Sequence, residues 1–321
     1  MSASFRKIDY SLRPAKHAER KMLSEIFRRL RPFQPVEDYT YVGLGSIWFT
    51  DFSLFHRALG VKDMRSIERE KNAKARVEAN KPFSTITVAY DEASVVLPEL
   101  DWSKRSFVWL DYDDPLAPDM LLDSQIVASH AASGTVLAVS VQCQQAREVG
   151  DAQKETNGPT ALERFRDQFG RESIPQGVCE DDLYGWPLGN LSRRMIEAKI
   201  QAALAVRNID QDVFSAVSFI PICSIEYKDG ACMTTVVGIF VEGRELGTAQ
   251  SCGFETLDFL TTDGKPIRIQ VPVLTIREIR HIERQLPQTD KPIDYGSIPP
   301  SDADHFAEFY RYLPNFATLD Q

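Results

Sequence analysis

Apolar residues in the first half of the chain alternate between short continuous runs and runs at helical spacing. Short segments rich in apolar or β-branched residues predict five strands, at residues 38–45, 61–68, 84–93, 106–115 and 134–144, and near-continuous apolar runs such as "TVLAVSV" (135–141) fit strands covered on both faces. Between the first two, Trp48, Phe52, Phe55 and Leu59 share one stripe of a helix. Strands that alternate with helices predict βαβ units, and therefore an α/β fold with a mainly parallel sheet and helices on both faces.

The pattern changes at both ends of this core. A helix predicted over residues 17–31 precedes it and is stopped by Pro32 and Pro35. After the fifth strand, residues 146–210 are polar and mostly helical, which predicts an inserted cap. Two long apolar strands then flank Lys228-Asp229-Gly230, a hairpin signal. The predicted organisation is a basic helical segment (1–38), a cofactor-binding core (39–145), a helical insertion (146–210), and a sheet-completing hairpin with a C-terminal extension (211–321).

Composition and charge narrow the class of protein. The chain is 43% hydrophobic, enough for a large core, yet no apolar stretch reaches the roughly 18 residues of a membrane span. The formal net charge is −9, whereas residues 1–31 hold nine Lys/Arg and three acids. This basic segment is favoured as a solvated helix face, although an anionic partner stays open. Five scattered cysteines favour reduced thiols and a cytoplasmic location.

Candidate site residues follow four successive strands. Ligands of open parallel sheets bind at the carboxyl ends of the strands. The first predicted strand ends in glycines, the second in Glu68, the third in Asp91-Glu92 and the fourth in "DYDDPL" (111–116). Glu68 follows Gly45 by 23 residues, and a carboxylate there suits the ribose hydroxyls of an adenosine-containing cofactor. Trp48 stands where a dinucleotide fingerprint has its third glycine, which disfavours a ligand with a pyrophosphate.

In this order, the motifs resemble the core of a class I S-adenosylmethionine-dependent methyltransferase. "YVGLGS" (41–46) is similar to the glycine loop, Glu68 to the ribose acid, and "DYDDPL" to the motif after the fourth strand. The whole chain resembles bacterial proteins called "putative O-methyltransferase". The resemblance implies a Rossmann-like fold with a mostly parallel, seven-stranded sheet, an antiparallel terminal hairpin and helices on both faces.

The resemblance also implies a cofactor and a set of site residues. S-adenosylmethionine is the implied cofactor. Its implied binding residues are Gly43, Gly45, Ser46, Glu68, Asp91 and Glu92, with Arg13 and Lys16 as candidates for its carboxylate or for an anionic substrate. The candidate catalytic residues are Asp111 and Asp113, for positioning or general base, and Asp114, which is equally suited to capping a helix.

The departures from the family pattern favour O-methylation and no metal. "DYDDPL" lacks the Asp/Asn-Pro-Pro-aromatic motif of enzymes that methylate amino groups of nucleic acids. Metal-dependent O-methyltransferases have acids after the fifth strand, where this chain has Gln142, Gln144 and Gln145, and neutral amides are poorer ligands for a hard cation.

Several alternatives stay open at this point. Alternative bases are the histidines His56, His130, His281 and His305, each favoured as a surface or core residue, and His17, which has more weight because residues 13–17 precede the first helix. Cys143 is favoured as a packing residue. A degenerate methyltransferase fold that holds a protein or nucleic-acid partner is the second hypothesis, and a nicotinamide-dependent oxidoreductase the third. The methyl acceptor is not fixed: it is a small molecule, a protein, RNA or DNA. No membrane partner is expected, and a homodimer or protein partner is open.

Overall fold

An eight-stranded sheet forms the centre of the protein. The computed structural model describes residues 13–144, 158–261, 263–287 and 291–314. The order of the strands is β3-β2-β1-β4-β5-β7-β6-β8. Their bounds are β1 (Thr40–Leu44), β2 (Asp63–Ile67), β3 (Ile86–Ala89), β4 (Ser106–Pro115), β5 (Val136–Gln142), β6 (Val217–Asp229), β7 (Ala231–Glu242) and β8 (Ile267–Ile269).

The pairing confirms the predicted fold class and corrects the number of strands. Strands β1 to β5 pair in parallel, and the predicted hairpin is β6 and β7, of which β7 runs antiparallel to β5. The predicted seven strands are one too few. Residues Ile267–Ile269 pair in parallel with β6 and extend the sheet by an eighth strand.

Ten α-helices lie in the described residues. They are α1 (Pro14–Arg28), α2 (Thr50–Leu59), α3 (Lys74–Ala79), α4 (Ala93–Val96), α5 (Pro118–His130), α6 (Ala161–Phe169), α7 (Gly185–Arg207), α8 (Leu246–Ser251), α9 (Ile276–Glu283) and α10 (Pro300–Phe309). Helix α1 begins three residues before the predicted start because Pro14, whose fixed φ suits a first helical position, opens it. Helix α2 begins after Trp48, so Trp48 does not extend the buried stripe and is 41% exposed.

The sheet separates two hydrophobic clusters. On one face, α1 and α2 pack against Tyr41 and Trp109, and the Phe27 and Phe107 rings stack with centroids 4.3 Å apart. On the other face, Val108 and Leu110 pack with apolar residues of α5 and α7. The long helix within the predicted insertion therefore covers the sheet. The domain boundaries stay predictions, and residues 1–12 and 145–157 lie outside the described part of the chain.

Among the described residues, no helix is both long enough and apolar enough to cross a membrane.

Candidate cofactor-binding and active site

The predicted site residues meet at the carboxyl edge of the sheet. Strand β1 pairs with β2 on one side and with β4 on the other, so the strand order reverses there. Such a reversal opens a crevice at the carboxyl ends of the strands. Gly43 is in register with Ser66 of β2 and Trp109 of β4. The topology therefore brings the ends of β1, β2 and β4 together.

Gly45 lies where two strand ends nearly touch. Its N–H donates to the carbonyl of Ile67. A Cβ at Gly45 would lie 2.7 Å from Glu68 Cβ and 2.8 Å from Ile67 O, closer than real side chains approach. Only glycine allows this approach, which places Glu68 directly beside the loop after β1.

The loop continues through an unusual backbone turn. Phe49 precedes α2 with φ of 45° and is fully buried, although bulky side chains rarely adopt the left-handed region. Its ring packs edge-on against Phe52, with centroids 5.6 Å apart. Ser46 Oγ accepts from the N–H of Trp48 at 3.3 Å. The packing of Phe49 against Phe52 thus stabilises the turn, while the Trp48 side chain is exposed to solvent.

Glu68 follows β2 directly and is only 5% exposed. Its Oε1 accepts from the N–H of Glu70 at 2.8 Å, and Oε2 has no donor among the described residues. Burial raises the pKa of Glu68 above its ordinary value, partly offset by that hydrogen bond. One carboxylate oxygen therefore stays available for a ligand donor, as a ribose hydroxyl would be.

Asp91 and Glu92 lie at the exposed end of β3. Asp91 accepts from Lys71 Nζ at 3.1 Å, and this hydrogen bond lowers the pKa of Asp91. Glu92 precedes the four-residue helix α4 without capping it through its side chain. Both are at the predicted edge, and their contact with adenine stays a prediction.

Asp111, near the end of β4, is held by a buried lysine. Lys16 Nζ lies 2.5 Å from Asp111 Oδ1 and 2.9 Å from Glu19 Oε2. The Lys16 side chain is 2% exposed and the Glu19 side chain fully buried, whereas the Asp111 side chain is 27% exposed. The ammonium also lies 4.4 Å from the centroid of Trp109. Lys16 therefore already pairs with two carboxylates, and its predicted contact with a cofactor carboxylate stays a prediction.

A chain of hydrogen bonds fixes Glu19 in turn. Trp109 Nε1 donates to Ser140 Oγ at 2.9 Å, and the hydroxyls of Ser140 and Thr235 lie 2.8 Å apart. Thr235 Oγ1 donates to Glu19 Oε1. The network links α1 with β4, β5 and β7, so the position of Lys16 is set by the whole centre of the sheet.

The surroundings of Asp111 shift its protonation. Burial raises its pKa from 3.8 to about 6, the nearby Lys16 cation opposes the rise, and the charges of Glu19 and Asp113 add to it. A carboxylate with a pKa nearer to neutral is a stronger base than an ordinary aspartate. Asp111 thus has the protonation behaviour of a general base that is still ionised at pH 7.

The other two predicted acids lie where β4 leaves β5. The register shifts between Asp111 and Pro115, and Gln142 Nε2 donates to the Asp113 carbonyl at 3.1 Å. Bulges of this kind redirect side chains beside functional sites. Asp114 is exposed. The neighbouring Tyr112 donates to Asp123 at 2.7 Å, on the side of the sheet away from Lys16.

A second buried cation lies one turn after Lys16. Arg20 is 4% exposed, its Nε has no hydrogen-bond partner, and it forms no ion pair within the described residues. The Tyr227 hydroxyl, also buried, is likewise without a partner there. Arg13, the other predicted cation, immediately precedes α1.

The alternative bases and nucleophile lie elsewhere. Burial and the charges of Lys21 and Arg20 lower the pKa of His17 to about 4, which makes it a weak base. The other histidines whose contacts are described, His56, His130 and His281, bond to backbone carbonyls away from Asp111. Burial raises the pKa of Cys143 to about 12, so its thiol stays protonated at neutral pH. Across the described ranges, no three potential ligands cluster as a metal site.

A protein-family model matches residues 8–321, nearly the whole chain, and its description is "Putative O-methyltransferase". The chain belongs to this family. The match confirms the predicted resemblance to class I S-adenosylmethionine-dependent methyltransferases. A search of curated proteins finds no match to the chain.

The solved structures that resemble this member of the O-methyltransferase family share little sequence identity with it. Trm1 from Pyrococcus horikoshii, in complex with S-adenosyl-L-methionine, is 14% identical, with 76% of this chain and 59% of that chain covered and a TM-score of 0.40. The N-methyltransferase NodS from Bradyrhizobium japonicum WM9 is 8% identical, with 70% and 97% covered and a TM-score of 0.37. The chain thus spans about three fifths of the Trm1 structure.

Sequence reasoning missed Glu19 and its hydrogen-bond partners. The signal for Glu19 was present: Lys16 and Glu19 continue the buried face of α1 that Met22, Leu23 and Ile26 define. Charged residues on an apolar face indicate buried ion pairs. The partners Ser140 and Thr235 have no such signal, because small hydroxyl residues within strands occur in many proteins.

Because Gly45 lies so close to Ile67 and Glu68, we expect an added methyl group at this position to destabilise the fold. We expect Gly45→Ala to lower the free energy of unfolding by about 1–3 kcal/mol, since the new Cβ must displace backbone at Ile67 and Glu68. Chemical denaturation measures the change. The matched control is Gly247→Ala in α8, where a Cβ meets nothing within 4 Å. Equal stability of the two variants would contradict the tight contact.

Proposed function

We propose that the protein transfers the methyl group of S-adenosylmethionine to a hydroxyl oxygen of an acceptor, with Asp111 as the general base. The observation that carries this proposal is the partly exposed Asp111 carboxylate at the end of β4, held by buried Lys16 and with its pKa raised to about 6. Membership of the O-methyltransferase family supports the reaction class.

The residues at the edge fit the cofactor. Gly45 lets the backbone pass close to Glu68, whose second carboxylate oxygen is open to ribose hydroxyls. Carboxylates near the end of β4 suit the positive charge of a sulfonium group. When bound, the cofactor supplies an electrophilic methyl group. The chain's own residues then orient the acceptor and accept its proton.

A hydroxyl acceptor explains why a base with a raised pKa stands at this place. Asp111 Oδ would accept the acceptor's hydroxyl proton, and the bound cofactor would supply the methyl group to that oxygen, with the electron pair of the broken carbon–sulfur bond left on sulfur. Lys16 opposes the effect of burial, so that Asp111 stays ionised at pH 7. Asp113 is proposed to position the acceptor beside it.

Arg20 is our candidate for the cofactor's carboxylate. A buried guanidinium without a partner is costly, and an anionic ligand would supply the missing hydrogen bonds. Arg20 is also close enough to Tyr41 and Tyr227 to influence the pKa of both. Tyr41 lies two residues before Gly43 on β1, so Arg20 belongs to the same region as the glycine loop.

Methyl transfer is tested by following tritium from labelled S-adenosylmethionine into pools of hydroxylated small molecules, RNA, DNA and protein. We expect the labelled methyl group to be bound to an oxygen of the acceptor. Asp111→Asn should lose this transfer, because the amide cannot accept the hydroxyl proton. The control is Asp167→Asn, which changes an exposed acid on α6, outside the motif.

Two outcomes would contradict the proposal. A labelled methyl group on ring or amino nitrogens would contradict transfer to oxygen, although the protein would still be a methyltransferase. If calorimetry shows no binding of S-adenosylhomocysteine, the proposed methyltransferase activity is contradicted. That result would favour the second hypothesis, a degenerate methyltransferase fold that binds a partner.

The role of Arg20 predicts a difference between two ligands. S-adenosylhomocysteine has the amino-acid carboxylate, whereas 5′-methylthioadenosine lacks it. We expect Arg20→Gln to weaken S-adenosylhomocysteine about tenfold or more, because charge-assisted hydrogen bonds are lost, and to leave methylthioadenosine nearly unchanged. Glu68→Gln, the comparison variant, should weaken both. Calorimetry measures the affinities, and equal losses for both ligands in Arg20→Gln would contradict the assignment.

A further inference from the structure

A cavity of about 680 Å³ opens at the carboxyl edge, away from Asp111. The residues that matter in its lining are Trp186, Arg193, Arg194, Glu226, Arg268 and Gln270. They come from the first half of α7 and the ends of β6 and β8. The volume is within the range of small-molecule sites. We call this space the α7 cavity.

The α7 cavity lies on the opposite face of the sheet from the Lys16–Asp111 pair. Glu226 is in register with Thr234 of β7, and Arg193 of α7 bonds to both. The next residue, Thr235, bonds to Glu19 of α1. Because successive side chains of a strand point to opposite faces, the two sites are separated by the sheet.

Two guanidinium groups share a single buried carboxylate in this cavity. Glu226 is 2% exposed and accepts from Arg193 Nη1 at 2.8 Å and from Arg268 Nη2 at 2.7 Å. The trio therefore has one positive charge in excess, and Arg193 is itself only 8% exposed. Because Arg268 is half-exposed, this excess charge faces the open side of the cavity, where an anionic ligand can balance it.

Further groups increase the positive potential. Arg194 forms no hydrogen bond or ion pair within the described ranges, and it lines the same space. Arg268 lies 4.6 Å from the Trp186 ring centroid, which fixes its guanidinium while its side chain stays 47% exposed. Asp182, also in the lining, carries a negative charge, and its carboxylate accepts from the N–H of Cys179 at 3.0 Å. Lys265, also in the lining, pairs with Asp263 at 2.7 Å.

We infer that the α7 cavity binds a small molecule through an anionic group, a carboxylate or a phosphate, held by Arg193, Arg194 and Arg268. Guanidinium forks match the geometry of both groups. Glu226 aligns two of these forks rather than competing for the ligand, since both of its oxygens are already engaged.

The inference is tested by titrating the full chain with inorganic phosphate and, separately, with benzoate, in calorimetry. We expect saturable binding at millimolar concentration, with the tighter probe identifying the preferred group. Arg194→Gln and Arg268→Gln should each weaken it about tenfold, because each removes a charge-assisted hydrogen bond. The matched control is Arg277→Gln, an exposed arginine on α9 outside the cavity lining.

The variants also separate this site from the cofactor site. Arg194→Gln should leave the affinity for S-adenosylhomocysteine unchanged, and it keeps the test valid if Arg268→Gln disturbs folding around Glu226. Binding that is absent for both probes, or that is equally weakened by Arg277→Gln, would overturn the inference. Unchanged binding in both cavity variants would overturn it as well.

Discussion

The buried ammonium of Lys16 is the constraint on which the carboxyl edge depends. An unpaired charge at this depth costs several kcal/mol, and removing one partner of a buried pair typically costs about 3–5 kcal/mol. Lys16 is therefore fixed between Asp111 and Glu19, and the start of α1 is fixed with it. Asp229, in the β6–β7 hairpin, accepts from the N–H of Lys16 at 2.8 Å. One ion cluster thus joins α1, β4 and the hairpin.

The same cluster explains how an ion pair that stabilises the fold can also set the proton affinity of a general base. Glu19 accepts a hydrogen bond from Thr235, is shielded from solvent, and lies 2.9 Å from the Lys16 ammonium. Asp111 is the partner that reaches solvent, and its proton affinity is set by burial on one side and by Lys16 on the other. The sheet separates this ion cluster from the α7 cavity, which lies on its other face.

The first five strands were predictable because strand-like apolar segments alternate with helical ones, and the hairpin because of Lys228-Asp229-Gly230. The apolar alternation of residues 267–275 indicates a strand, but its place beside β6 depends on contacts between residues distant in the sequence. Residues after strand ends were predictable candidates. The engagement of Lys16, the orphaned Arg20 and the α7 cavity depend on tertiary packing that periodicity does not encode.

The most direct test of the account is the titration of Asp111 itself, followed by carbon-13 carboxyl NMR and assigned through Asp111→Asn. The folded pKa is raised, so ionisation lowers stability as pH rises from about 4 to about 6, and base catalysis fails as pH falls below about 6. We predict a midpoint near 6, and a higher one in Lys16→Met because the cation that opposes the rise is gone. A midpoint near 3.8, or a lower one in Lys16→Met, would contradict the account.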